Sequence, residues 1–195
     1  MNKKNVFLVG NALEFNVKRF PQKTCLIYKT KRFTYYELNC RINRLANRLL
    51  EGGINKGDAI GYVLYNCNEA IELLYACLKI GAIAVPLNTR LSAKELKWSI
   101  NYTQSKLLFF SESLLDVIIE IKNELEYVEN MVMVGGSSVD FANKFNHYCS
   151  EARIDESGVK INSEDYDLYK FTGGTTGQPK AAIHTQYNLM VTSII

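Results

Sequence analysis

No stretch of this chain approaches the ~20 consecutive apolar residues of a membrane-spanning helix. The sequence is also poor in the residues that mark specialised classes. Histidine occurs only twice, at His147 and His184, and the five cysteines at 25, 40, 67, 77 and 149 form no C-x-x-C pair. That spacing builds no metal site. An odd number of cysteines also argues against a disulfide framework, so buried reduced thiols are the plain reading. Reduced thiols fit a cytosolic, cytoplasmic setting. Charge of one sign is scarce too, with 23 Lys and Arg against 20 Asp and Glu. No basic run or basic–aromatic stripe stands out, which argues against nucleic acid as a partner. The apolar run in the opening "MNKKNVFLVGNALEF" is short, interrupted by Asn11 and closed by Glu14, unlike a secretory leader. Internal repeats and low-complexity tracts are absent.

What remains is the composition of a globular protein, with 47% hydrophobic and 22% charged residues. A chain of 195 residues supports a real core and most simply forms one domain, with two small ones as the alternative.

The spacing of apolar residues predicts a helix over 5–20, then a hairpin in "TCLIYKTKRFTY" with a strand at 24–28, a turn at 29–32 and a short return strand. Thr34 and Glu37 have capping-box spacing and open a helix whose buried face is Leu38, Ile42, Leu45 and Leu49. Gly52 and Gly53 end it. A strand at 58–66, a largely apolar helix at 69–82 and a strand in "IAVPLN" follow. Ser92 and Glu95 form a second capping box, opening a helix to about Tyr102. Next come a strand at 106–110, a helical face at Leu114, Ile118, Ile121 and Leu125, and a strand at 131–135. Residues 137–165 are less regular, with a helix over "VDFANKFNHYC" and a polar connector after it. "YDLYKF" and "AAIHT" are strands, and "QYNLMVTSII" starts a helix. Strand and helix alternating in this way predict an α/β fold with a largely parallel sheet flanked by helices.

The segment "YKFTGGTTGQPKAAIHT", residues 169–185, carries the chemistry. A polyphosphate needs many donors at close quarters. Gly173, Gly174 and Gly177 let backbone N–H groups form a concave nest. Thr172, Thr175 and Thr176 add uncharged donors, and Lys180 adds a compact positive charge. The loop follows a strand, where α/β proteins place their ligands. It is not the common G-x-x-x-x-G-K-[ST] loop. Counting from Gly173 or Gly174, the second glycine would fall on Gln178 or Pro179, and Ala181 follows Lys180 where Ser or Thr is needed.

The order T-G-G-T-T-G-Q-P-K resembles the signature of the adenylate-forming enzymes, which include acyl- and aryl-CoA synthetases, luciferases and peptide-synthetase adenylation domains. "FTYYELNCRINRLANRLLEGGINKGDAIGYVLYNC" is similar to the family's early T-Y-x-E-L helix and G-D-x-V strand. "CLKIGAIAVPLNTRLSAKEL" is similar to its second motif in the acyl-CoA synthetase form. The resemblance runs from about residue 5 to residue 195, with 137–165 vague. It implies that Thr172, Gly173, Gly174, Thr175, Thr176, Gly177 and Lys180 hold the phosphates of ATP, with Mg²⁺ offsetting their charge. It implies a carboxylate activated as its adenylate and passed to a thiol, commonly that of coenzyme A. Two positions depart from the family. Ala181 stands where glycine usually follows the lysine, and Gln186 stands where a histidine near the acyl pocket is frequent.

The resemblance further implies that the adenine pocket, the acidic Mg²⁺ residue, the ribose-binding aspartate and the catalytic lysine of a mobile domain lie downstream. The chain is therefore expected to be an incomplete N-terminal AMP-binding domain, inactive alone, with apolar surface that favours self-association. A non-catalytic module of the same fold, an aryl- or amino-acid-adenylating relative and a different phosphate-loop NTPase are the competing readings.

Overall fold

The computed structural model describes residues 8–172 and 180–192. Helix α1 (Val9–Arg19) leads into a separate antiparallel pair, β1 (Thr24–Tyr28) and β2 (Lys31–Thr34). Only Lys29 and Thr30 lie between the paired Tyr28 and Lys31, so the turn is tighter than the spacing predicted. Lys29 takes the left-handed conformation this requires, with φ 53°.

From there the expected alternation appears. It runs through α2 (Tyr35–Glu51), β3 (Ala59–Val63), α3 (Asn68–Ile80), β4 (Ile83–Pro86), α4 (Ala93–Tyr102), β5 (Leu107–Ser111), α5 (Leu115–Ile121) and β6 (Asn130–Val134). Both predicted capping boxes form. The hydroxyls of Thr34 and Ser92 accept from the backbone N–H groups of Glu37 and Glu95, whose carboxylates accept from the cap N–H groups in return. Short 3₁₀ turns on either side of α5 extend its apolar face to Leu114 and Leu125.

The helix expected over "VDFANKFNHYC" is corrected. Asn143–Lys144 pair as a two-residue strand, β7, and only Phe145–Tyr148 coil, as the one-turn α6. Phe145 and Tyr148 are three residues apart and both lie edge-on to the Phe109 ring, at 6.1 and 6.0 Å between centroids. One turn suffices to bury that pair, and nothing apolar repeats beyond it. The chain ends in β8 (Tyr166–Thr172), β9 (Lys180–Thr185) and α7 (Gln186–Thr192).

Seven strands form one sheet in the order β7-β6-β5-β3-β4-β8-β9. All neighbours are parallel except β8 and β9. Such strands are covered on both faces, which explains why they read as unbroken apolar runs. Ile60, Tyr62, Ala84, Phe109 and Val132 meet α2 and α3. Their sequence neighbours Ala59, Val63, Val85, Phe110 and Met133 meet α4 and α5 on the other side.

The connector at 149–165 has no regular structure, yet it is firmly placed. Asn39, Asn43 and Asn47 recur every four residues on one side of α2. Asn43 and Asn47 donate to the carbonyls of Ile154, Arg153 and Asp155, and Asn39 donates to Glu156. Lys79, 2% exposed at its side chain, donates to Asn39 Oδ1 and Asn43 Oδ1 at 2.8 Å and to Glu156 Oε2 at 2.6 Å. Burial opposes ionisation of Glu156, but the bonds from Asn39, Lys79 and Asn43 outweigh it and hold the carboxyl below the usual range.

Lys79→Met removes the charge but keeps most of the apolar stem. It leaves three acceptors without a donor and should cost about 2–3 kcal/mol, less than a fully buried pair because Glu156 reaches solvent. Urea unfolding at neutral pH reads this as a lower midpoint. An unchanged midpoint would show that the network adds nothing to stability.

Candidate functional site

β8 leaves the sheet at its carboxyl edge beside β4, and β9 returns antiparallel to it. Thr172 and Lys180 are the last paired residues, and Thr172 Oγ1 donates to the Lys180 carbonyl at 3.2 Å. The two ends of the Gly/Thr segment are thus held side by side, both exposed, and Thr172 lines a crevice. Gly173, Gly174, Thr175, Thr176 and Gly177 lie outside the described residues.

The base of this hairpin is anchored on α4. Phe171 meets Trp98 edge-on at 6.1 Å and Tyr102 at 6.4 Å, and the latter two rings stack at 4.7 Å. Trp98 thus packs α4 against β8. Between α4 and β8 opens a crevice of about 330 Å³ lined by Pro86, Leu87, Asn88, Leu91, Phe171 and Thr172. It lies at the carboxyl ends of β4 and β8, where open α/β sheets take ligands.

The base is also fixed from below. Lys56 pairs with Asp165 at 2.5 Å, and Asp165 Oδ2 accepts from the Asn162 N–H at 2.7 Å. Gln186, 1% exposed, donates from Nε2 to the Leu78 carbonyl at 3.3 Å, and its backbone N–H donates to Asp165 O at 3.0 Å. The glutamine that departs from the family's histidine therefore ties the start of α7 to the end of α3. His184 is half-buried opposite Leu168, a packed strand residue, and Arg90 is exposed.

One group escaped the sequence reading. Asp167 is fully buried in β8, where the pairing shifts register between Tyr166 and Leu168, and among the described residues neither carboxylate oxygen has a hydrogen-bond partner on another residue. Burial pushes its carboxyl up to about 6 from 3.8. In sequence it looks like any solvated aspartate among "EDYDLY".

The profile of one protein family, described as AMP-binding enzyme, matches residues 13–194. The chain belongs to the AMP-binding enzyme family. Among its relatives, the crotonobetaine/carnitine–CoA ligase of Salmonella enteritidis PT4 is 32% identical over 180 residues, and that of Citrobacter koseri is 31% identical. Each alignment takes in 87% of this chain and 35% of the relative, so the chain spans about a third of their length. Of solved structures, the N-terminal domain of FACL13 from Mycobacterium tuberculosis, inhibitor bound, superposes with a TM-score of 0.83 at 28% identity, covering 93% of this chain and 45% of that one. The anthranilate CoA ligase AuaEII with anthranoyl-AMP gives 0.89 at 24% identity over 92% of this chain and 35% of that one, a likeness of fold. The mostly parallel, helix-flanked sheet of this AMP-binding chain is thus the architecture expected from its sequence.

Asp167 gives the chain a distinctive pH response. Its pKa is raised on folding, so the folded state holds the proton more tightly than the unfolded one. Stability therefore falls as pH rises from about 3.8 to about 6, and the full penalty applies above that window. Asp167→Asn should raise stability at pH 7.5 by up to about 3 kcal/mol and change little near pH 4. Thermal melts of both proteins across this range check it. Parallel melting curves at all pH values would contradict the assignment.

Proposed function

We propose that this chain is an N-terminal part of the AMP-binding domain of an ATP-dependent carboxylate–CoA ligase, and that its Thr172–Lys180 hairpin grips the phosphate end of ATP. The observation that carries the reading is the hairpin itself. A Thr/Gly/Lys loop is closed by the Thr172–Lys180 pair at the carboxyl edge of the sheet. In this reading Thr172, Gly173, Gly174, Thr175, Thr176 and Gly177 donate to phosphate oxygens, and Lys180 neutralises them.

The ligase reaction joins a carboxylate to the α-phosphorus of ATP and expels pyrophosphate, and the thiol of coenzyme A then takes the acyl group as the bond to AMP breaks and AMP leaves. Binding and charge neutralisation supply most of such a transfer. Among the described residues no three His, Cys, Asp or Glu gather as a metal site. These residues do not fit a Mg²⁺ centre. The CoA-ligase relatives support an organic acid as substrate and CoA as acceptor. The free cysteines fit a cytoplasmic setting. Because the chain spans 35% of its relatives, binding rather than complete turnover is the function assigned to it alone. Exposed Ile183 on β9, which has one described neighbour in the sheet, would favour self-association.

The test is ATP binding by the 195-residue chain, followed by calorimetry or equilibrium dialysis. Lys180→Ala should weaken it about tenfold or more, the size of one charge-assisted contact. Carboxylate-dependent exchange of labelled pyrophosphate into ATP should be absent. Unchanged ATP affinity in the variant would remove the phosphate-loop assignment. Measurable exchange would remove the claim that the chain is inactive alone.

A further inference from the structure

The net charge of +3 conceals an uneven distribution. From Lys18 to Arg32 six basic residues occur and no acidic one, whereas residues 37–195 hold 15 Lys and Arg against 19 Asp and Glu. No basic–aromatic stripe is legible along the sequence, because it exists only once the chain has folded. On α1, Phe15, Lys18 and Arg19 are three and four residues apart and share the exposed face, opposite buried Leu13.

Phe20 follows at the end of the helix, with the Arg19 guanidinium 5.0 Å and the Lys23 ammonium 5.5 Å from its ring centre. The Tyr36 N–H donates to the Pro21 carbonyl at 3.0 Å, which brings another exposed ring to the same turn. On the hairpin, Ile27 and Arg32 are register partners and both are exposed. Both α1 and the hairpin pack on α2, so they form one continuous side of the molecule.

The apolar groups there are not marginally exposed. Phe15 is 61% exposed, Ile27 56% and Tyr36 51%. Nor are the cations neutralised from within. Among the described residues only Lys31 comes within 4 Å of a carboxylate, Glu69 at 3.9 Å. Glu14, the lone acid of α1, turns toward Lys79 at 3.8 Å.

We propose that this face, made of the outer side of α1, the turn after it and the β1–β2 hairpin, docks onto an anionic lipid surface. The phenyl rings and Ile27 would enter the headgroup boundary while the lysines and arginines meet lipid phosphates and carboxylates. Neither signal holds a protein on a bilayer well alone, and together they do. No described helix is long and apolar enough to cross a membrane. A nucleic acid would satisfy the cations through its phosphates, but the aliphatic Ile27 would then have no role.

The test is co-sedimentation of the chain with vesicles of phosphatidylcholine alone or with about 30% phosphatidylserine, at low salt and at about 0.5 M NaCl. Binding should require the anionic lipid and fall as salt rises. Arg19→Glu/Lys23→Glu/Arg32→Glu should weaken it at least tenfold, and so should Phe15→Ser/Phe20→Ser/Ile27→Ser. A control reversal elsewhere, Lys94→Glu/Lys122→Glu/Lys170→Glu, should weaken it far less. Thermal melts confirm that each variant folds, and the matching Gln series replaces any that does not.

No binding to anionic vesicles at low salt overturns the proposal. So does an apolar triple variant that binds as before, or a control reversal as damaging as the first. Binding to duplex DNA or RNA that exceeds vesicle binding and survives the apolar substitutions would assign the face to nucleic acid instead.

Discussion

The ammonium of Lys79 sits at the end of α3 with almost no access to water, and a charge in that position must be surrounded by acceptors. Two come from α2 and one from the connector. The connector contains no helix or strand to define its path, so its course is dictated by these bonds and by the asparagine rungs beside them. From Glu156 the chain runs to Asp165, where Lys56 takes hold, and then directly into β8. The position of β8 fixes Thr172 and, through its antiparallel partner, Lys180. The buried cation thus fixes the connector that leads into β8, and Lys56–Asp165, Gln186 and the Phe171–Trp98 contact hold the loop's base beyond it.

The same route explains what was legible in the sequence. Helix α2 was readable because its signals are local, with a threonine three residues before a glutamate and leucines at helical spacing. The Gly/Thr segment stands out in the sequence because three glycines, three threonines and a lysine fall within residues 172–180. Its described ends, Thr172 and Lys180, do stand together. The asparagines at 39, 43 and 47 were not readable. They are polar residues at helical spacing, which normally marks a solvated face, and only the distant connector shows that they are inside. The contact of Phe171 with Trp98 is of the same kind, a pairing between elements far apart in the chain.

Asp167 and Gln186 show how the strand beneath the loop differs from the rest of the core. Elsewhere the sheet is filled by Ile, Val, Leu and Phe. Here, among the described residues, a buried carboxylate has no partner on another residue, and the Gln186 side-chain oxygen has none either. Unpaired buried polar groups cost stability and are few in native proteins. Among the described residues such atoms also occur on α2 and α3, at Arg44, Asn47, Arg48 and Asn68, but Asp167 is the one carboxylate of the set. The pairing also shifts register around Asp167, and bulges re-aim the residues that follow them.

Net charge told little about this molecule, because opposite excesses in two parts of the chain nearly cancel. Electrostatic attraction acts over about one Debye length, roughly 8–10 Å in physiological salt. A partner at the α1 and hairpin face therefore meets that face and not the sum over the whole protein. The acidic excess beyond Glu37 is spread over the remaining surface, and some of it is consumed in internal pairs such as Arg41–Glu72 and Lys106–Asp58. The cations between Lys18 and Arg32 have almost no such internal partners. Folding neutralises charges selectively, and the charges left free by it, together with the rings that stand beside them, decide what the surface can bind.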